Sequence, residues 1–217
     1  MTVSKKEFIY GEIREQILSL KAQPDTVLKE EDVAQVYGVS RTPVHEALQQ
    51  LKQEGFLDQV KKVGYVIKPL SISDLQEIIQ IRSVLEGCAA RLTTVNQDEK
   101  IFARLQKINE KARVYLESND LANFFRNSSN FHGVIYQGSK NNRLIALVES
   151  LRDSFLRYRR ILLKIPEMPE VQIRDHEEML AAMTPGNEAE VEKLVRNHIL
   201  YGGRILLEYI ETERIEK

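Results

Sequence analysis

Three histidines fall where a helix would turn them inward. His132 shares a helical face with Phe124, Ser128, Phe131 and Ile135. His176 does so with Ile173, Met179, Leu180 and Met183, and His198 with Val191, Leu194, Val195 and Ile205. Imidazoles brought together from separate helices of a bundle make a site for a divalent ion, and three of them suit zinc, nickel, copper or iron alike. The competing reading is three core rings, each needing its own hydrogen-bond partner once out of water. Spacing leaves both open. Arg82 is a further inward polar residue, in the stripe Leu75, Ile78, Ile79, Leu85, Ala89. Its guanidinium could fork onto the carboxylate of a small acid. It could equally pair with Glu86 one turn on, or snorkel to the surface.

A separate set of residues suits nucleic acid. Ser40-Arg41-Thr42-Pro43-Val44-His45 opens a helix. Arg41 can fork onto guanine O6 and N7 or onto phosphate. The hydroxyls of Ser40 and Thr42, with the helix's own N–H groups, suit phosphate. His45 lies one turn after Arg41 and shares its face. Lys61, Lys62 and Gly64 fall at the tip of a turn within 59–68, a stretch holding three lysines and no acid.

The elements that must position these groups follow from periodicity. Residues 7–21 place Phe8, Ile9, Ile13, Ile17 and Leu20 at three-to-four spacing, an amphipathic helix. Residues 22–27 read as a turn around Pro24 and Asp25. A short helix over 30–37 stops at Gly38, and Ser40 caps the next, 41–54. Residues 56–60 and 63–68 read as two strands of a hairpin. Helix, helix, tight turn, helix and hairpin is the winged helix-turn-helix plan, whose second motif helix enters the major groove. Ser71 to Ser73 marks the boundary, giving a DNA-binding domain over 1–70 and an all-helical domain over 71–217. The latter predicts six helices: 73–95 (opened by Ser73 and Gln76), Asn96 to 117, Asn119 or Asp120 to 137, 141–164, 168–183, and Asn187 to 213. The fold class is mainly α.

Composition narrows the choices. The 217 residues carry a net charge of −1, with ten cations and ten acids in 1–70 and 21 against 22 in 71–217. Nucleic-acid binding therefore needs a local surface, because total charge predicts no partner. A single cysteine, Cys88, excludes a disulfide framework and a Cys-based zinc finger, and reads as a small packing residue. The Arg157–Arg160 run reads as a solvated or interface face. No window approaches the ~18 unbroken apolar residues of a membrane span. Charges at Lys5, Lys6, Glu7, Glu12, Arg14 and Glu15 argue against a signal peptide, so a cytoplasmic protein is expected.

The run GVSRTPVHEALQQLKQEGFL, residues 38–57, closely resembles the signature of the GntR family of bacterial transcription regulators. Residues 71–217 look like the FCD-type ligand-binding domain of its FadR branch. The matching pieces are Arg82-Ser83-Val84-Leu85-Glu86, Phe131-His132, Asn142-Arg143-Leu144, Asp175-His176-Glu177 and Arg196-Asn197-His198. The resemblance implies a homodimer that binds a twofold operator in double-stranded DNA and senses a small organic acid beside a metal. It implies His132, His176 and His198 as metal ligands. The usual fourth ligand, an Asp or Asn, is replaced by Ser128, so weaker metal affinity is expected, with water or an effector oxygen in the remaining positions. Arg82 becomes an effector clamp, with Tyr136, Arg152 and Arg159 as further contacts. Two residues depart from the family pattern: His45 stands where arginine is usual, and Glu31 where some members carry a DNA-contacting arginine. The alternatives are a metal-dependent enzyme built on the bundle, and a winged helix that binds only protein.

Overall fold

The computed structural model describes residues 4–19, 21–69, 71–162 and 164–213; of residues 152–154, 157, 159, 160 and 213 it describes the backbone alone. The chain forms two compact units. The first runs through Ser71 and takes in residues 153–160; the second starts at Ile72.

In the first unit, α1 (Lys5–Leu18) precedes a short strand β1 (Val27–Leu28). Then come α2 (Glu30–Tyr37), α3 (Arg41–Gln53), β2 (Leu57–Val60) and β3 (Gly64–Ile67). A capping box starts α1 two residues earlier than periodicity suggests: Ser4 Oγ accepts from the Glu7 N–H, and Glu7 Oε2 accepts from the Ser4 N–H. Gly38 ends α2 in the left-handed conformation at φ 62°, which a residue without Cβ adopts freely. Ile9, Ile13 and Ile17 pack with Val44, Leu48 and Leu51 and with Phe56, Tyr65 and Ile67 in one core. The expected hairpin is a three-stranded antiparallel sheet in the order β1-β3-β2. Val27 pairs with Val66 and Leu57 with Ile67. The turn read over 22–27 therefore gives way to strand at Val27, and a strand of two residues is too short to show alternation.

The second unit is helical: α4 (Ile72–Asn96), α5 (Glu99–Glu117), α6 (Leu121–Gly138), α7 (Asn142–Leu162), α8 (Met168–Ala182) and α9 (Glu188–Glu213). Asp98 and Asp120 cap α5 and α6 by accepting from the N–H groups of Lys100 and Asn123. The α5 cap therefore falls two residues after Asn96. Phe131, Ile135, Val148, Met179, Val191 and Val195 fill the core between the helices. Helix α4 lies against α6 where Gly138 lets Thr93 approach: a Cβ there would stand 2.5 Å from Thr93 Cγ2 and 2.8 Å from its Oγ1. The Thr93 hydroxyl donates to the carbonyl of Ile135 on α6 (2.6 Å), and Asn96 Nδ2 donates to that of Gly138 (2.8 Å).

Gly138→Ala must push these helices apart. It is expected to cost about 1–3 kcal/mol, the usual penalty of overpacking, read as a lower urea midpoint. An unchanged midpoint would contradict the close approach.

Candidate metal centre and nucleic-acid interface

Helices α6, α8 and α9 bring His132, His176 and His198 together, one ligand atom of each lying within 4.8 Å of the others. His132 and His176 are buried, and His198 is nearly so. His132 Nε2 faces His176 Nε2 at 3.3 Å. The opposite sides of two rings face carboxylates, one in a hydrogen bond and the other at ion-pair distance. His132 Nδ1 lies 3.0 Å from Glu86 Oε2, and His198 Nδ1 lies 2.9 Å from Asp175 Oδ2. An ionised carboxylate only accepts, so Nδ1 carries the proton and Nε2 keeps its lone pair. His176 stacks flat on Phe131, with centroids 4.0 Å apart and planes 8° from parallel. Lone pairs converging in a buried space repel unless a proton or cation sits between them. The donor set therefore fits a divalent ion, with carboxylates behind two of the rings and Phe131 stacked on the third.

Behind His132 lies a buried charge pair on α4. Arg82 donates through Nε to Glu86 Oε1 at 2.7 Å, and its NH2 group stands 2.7 Å from the same oxygen. Glu86 is wholly buried and Arg82 nearly so. This is the ion pair weighed above as the alternative to an effector clamp. Burial pushes the Glu86 carboxyl up, but the charge of Arg82, with help from His132 and Tyr136, outweighs it and lowers the pKa to about 2. Burial lowers the pKa of His132, against the pull of Glu86. Burial raises that of Tyr136 well above the ordinary phenol range, and the charge of Glu86 adds to it. Tyr136 is thus buried beside this pair as a neutral phenol. Ser128 is buried, and its hydroxyl donates to Gln172 Oε1 at 2.9 Å, one helical turn below the His132–His176 pair. Arg152 and Arg159 lie outside the described side chains. Between α8 and α9 lies a groove of about 320 Å³, lined by Arg174, Asp175, Glu178, Asn197, Tyr201 and, of the three histidines, His198.

The sequence reading named Glu86 only as a partner for Arg82 and gave Asp175 no role of its own. Each had a visible signal: an acid in an apolar stripe, and an acid beside a ligand histidine. Their targets lie on other helices, where spacing gives no information.

The first unit gathers the residues expected to meet DNA. Arg41, Thr42 and His45 are exposed on the first turns of α3. Ser40 takes the N-cap backbone conformation, yet its hydroxyl makes no cap hydrogen bond and remains available. Val63 donates to the Val60 carbonyl at 3.0 Å to close the turn between β2 and β3, leaving Lys61 and Lys62 exposed at its tip. Gly64, at φ 130°, passes so close to β1 that a Cβ would stand 2.8 Å from the Leu28 carbonyl oxygen, which makes it a sheet-building residue. A groove of about 710 Å³ is lined by Lys29, Arg41, Lys61, Lys62, Glu30 and Glu31 among others. Glu30 reaches across to α3: its Oε1 lies 2.8 Å from His45 Nδ1, and its Oε2 lies 3.9 Å from Arg41.

Glu86→Gln leaves Arg82 buried without its counter-charge and is expected to cost about 3–5 kcal/mol in unfolding free energy. The folded pKa of Glu86 lies near 2, below its usual 4.5, so its contribution is present above pH 4.5 and is lost as pH falls from 4.5 towards 2. Wild-type protein should show that loss in acid titration, and the Gln variant should lack this component. Equal stability of the two at pH 7 would overturn the pairing.

Two family descriptions match the chain: "FCD domain" over residues 77–201, and "Bacterial regulatory proteins, gntR family" over 5–67. The transcriptional repressor RspR of Escherichia coli K12 is 25% identical over 191 residues, covering 88% of this chain and 84% of that one. The transcriptional regulator YdhC of Bacillus subtilis is 26% identical over 191 residues, covering 87% and 85%. Among solved structures, E. coli McbR/YncC superposes with a TM-score of 0.77 at 23% identity, over 95% of this chain and 99% of that one, a likeness of fold. The relatives are named as regulators, not enzymes, which sets the metal-enzyme alternative aside. With both matches spanning nearly its whole length, the chain belongs to the GntR family of transcriptional regulators and carries an FCD domain.

Proposed function

We propose that this regulator senses a small organic acid at a metal held by His132, His176 and His198, and that the sensing alters operator binding. One observation carries the reading: three imidazoles from three helices converge within 4.8 Å, two of them backed by carboxylates that turn Nε2 inward. A bound divalent ion would supply a Lewis-acid point for an effector's oxygens. The chain's own residues do the rest. Glu86 and Asp175 fix the rings, and Arg82 holds Glu86 ionised. The groove between α8 and α9 admits the effector past Asn197 and Tyr201. Arg174, with its side chain 72% exposed at the groove and 3.6 Å from Asp175, is a cation that could turn from that weak surface pair to an effector's carboxylate, whereas Arg82 is buried against Glu86. Ser128 contributes a neutral hydroxyl shared with Gln172, which supports a weaker ion affinity than a fourth carboxylate would give.

In the first unit, Arg41 reads a base, Ser40 and Thr42 meet phosphate, and Lys61 and Lys62 meet the backbone or minor groove. A twofold operator needs two heads, so the working form is a homodimer. Operator binding places it in the cytoplasm, and no described helix is long and apolar enough to cross a membrane. Effector and operator affinities are then linked by a coupling of about 1–3 kcal/mol.

Elemental analysis of protein purified without chelator or tag should find one divalent ion per chain. The His132→Ala/His198→Ala double variant should lose it while keeping its helical circular dichroism. Retention at full stoichiometry would refute the site. Arg41→Ala should weaken operator binding by about 1–3 kcal/mol, the value of a guanine fork. An unchanged affinity would remove Arg41 from the contact set.

A further inference from the structure

His45 occupies a reading position but is not free to turn. It lies in the second turn of the recognition helix α3, with a half-exposed side chain. Its Nδ1 is taken by Glu30 Oε1 at 2.8 Å, and Nε2 has no partner among the described residues. Glu30 is the first residue of α2, with its side chain only 23% exposed. Its other oxygen stands 3.9 Å from Arg41, one turn earlier on α3. Glu30 and Arg41 are thus the charged groups the structure places about this ring.

We propose that Glu30 is a specificity-determining positioning residue: by holding His45 through Nδ1, it makes Nε2 the one ring atom offered to the DNA base. This rests on the DNA-reading assignment of α3. A carboxylate only accepts hydrogen bonds, so the proton of a neutral ring stays on Nδ1 and Nε2 presents a lone pair. In the major groove a lone pair is complementary to an amino hydrogen, found on adenine N6 and cytosine N4. Guanine offers two acceptors there, O6 and N7, and is repelled. An arginine at this position would do the reverse and fork onto guanine. The single exchange from guanidinium to pinned imidazole thus inverts the base class read at one operator position. A freely rotating imidazole would not, because it could turn a protonated nitrogen towards guanine.

The test is selection from a randomised duplex library at pH 8, where an ordinary imidazole is neutral. Wild type, Glu30→Ala and His45→Arg are compared as full-length dimers, with circular dichroism confirming each fold. Wild type should favour adenine or cytosine over guanine at one position of each half-site, by about fivefold, the low end for a base contact. His45→Arg should switch that position to guanine. Glu30→Ala should flatten the preference there while the Arg41-dependent position keeps its own. Guanine selected by wild type, or a preference that survives Glu30→Ala, overturns the proposal. If wild type enriches no sequence at all, the DNA-reading assignment itself fails, a result distinct from a selected guanine.

Discussion

Glu86 sits in the middle of the helical unit as an ionised carboxylate with no exposed surface. Removing such a charge from water costs several kcal/mol, so it persists only where fixed partners replace the solvent. Arg82 occupies one oxygen from the same helix, and His132 faces the other from α6. That division has consequences at both ends. Arg82 is a buried cation made tolerable by Glu86. His132 has its proton placed on Nδ1, its ring plane set and its Nε2 aimed at the other histidines. The tight packing of Thr93 on Gly138 holds the same two helices in register further along. The histidine cluster is thus a property of how α4 lies on α6, as much as of the rings themselves.

A single device recurs through the molecule. Glu86 faces His132, Asp175 faces His198 and Glu30 faces His45, each through Nδ1. In each pair the carboxylate decides which ring nitrogen remains for chemistry. Environment then separates the roles. The two pairs in the bundle are largely withdrawn from solvent, where electrostatic interactions are strong and a borderline divalent cation is well matched to imidazole lone pairs. The pair in the first unit lies at the surface, where water and salt screen it. Its value there is directional: it limits which atom can meet a base.

Much of this was legible in the residues. The amphipathic periodicities and the glycine and aspartate signals marked every helix to within a few residues, because long periodic segments carry redundant information. Strand β1 escaped, since two residues have no period and Val27 and Leu28 are defined only by their partners on β3. The three histidines were identifiable because each shares a face with large apolar residues. Arg82 was recognised as inward, yet the choice between clamp and ion pair waited on the position of Glu86. The reach of Glu86 to α6, of Asp175 to α9 and of Glu30 to α3 had no sequence signal, because spacing along one helix says nothing about the helix packed against it. Ser128 was read as standing, as a poor ligand, where the usual fourth metal ligand would be. Its hydroxyl turns to Gln172 instead, a pairing across α6 and α8 that only the packed structure reveals.

The central claim is that the imidazole nitrogens of His132, His176 and His198 are donors to one ion. X-ray absorption at the K-edge of protein loaded with one equivalent of zinc tests it directly. The account predicts multiple-scattering features of about three imidazoles, with a first shell near 2.0–2.1 Å as in other zinc–histidine sites, completed by oxygen. A first shell of oxygens with one imidazole or none would contradict it and place the ion elsewhere on the chain.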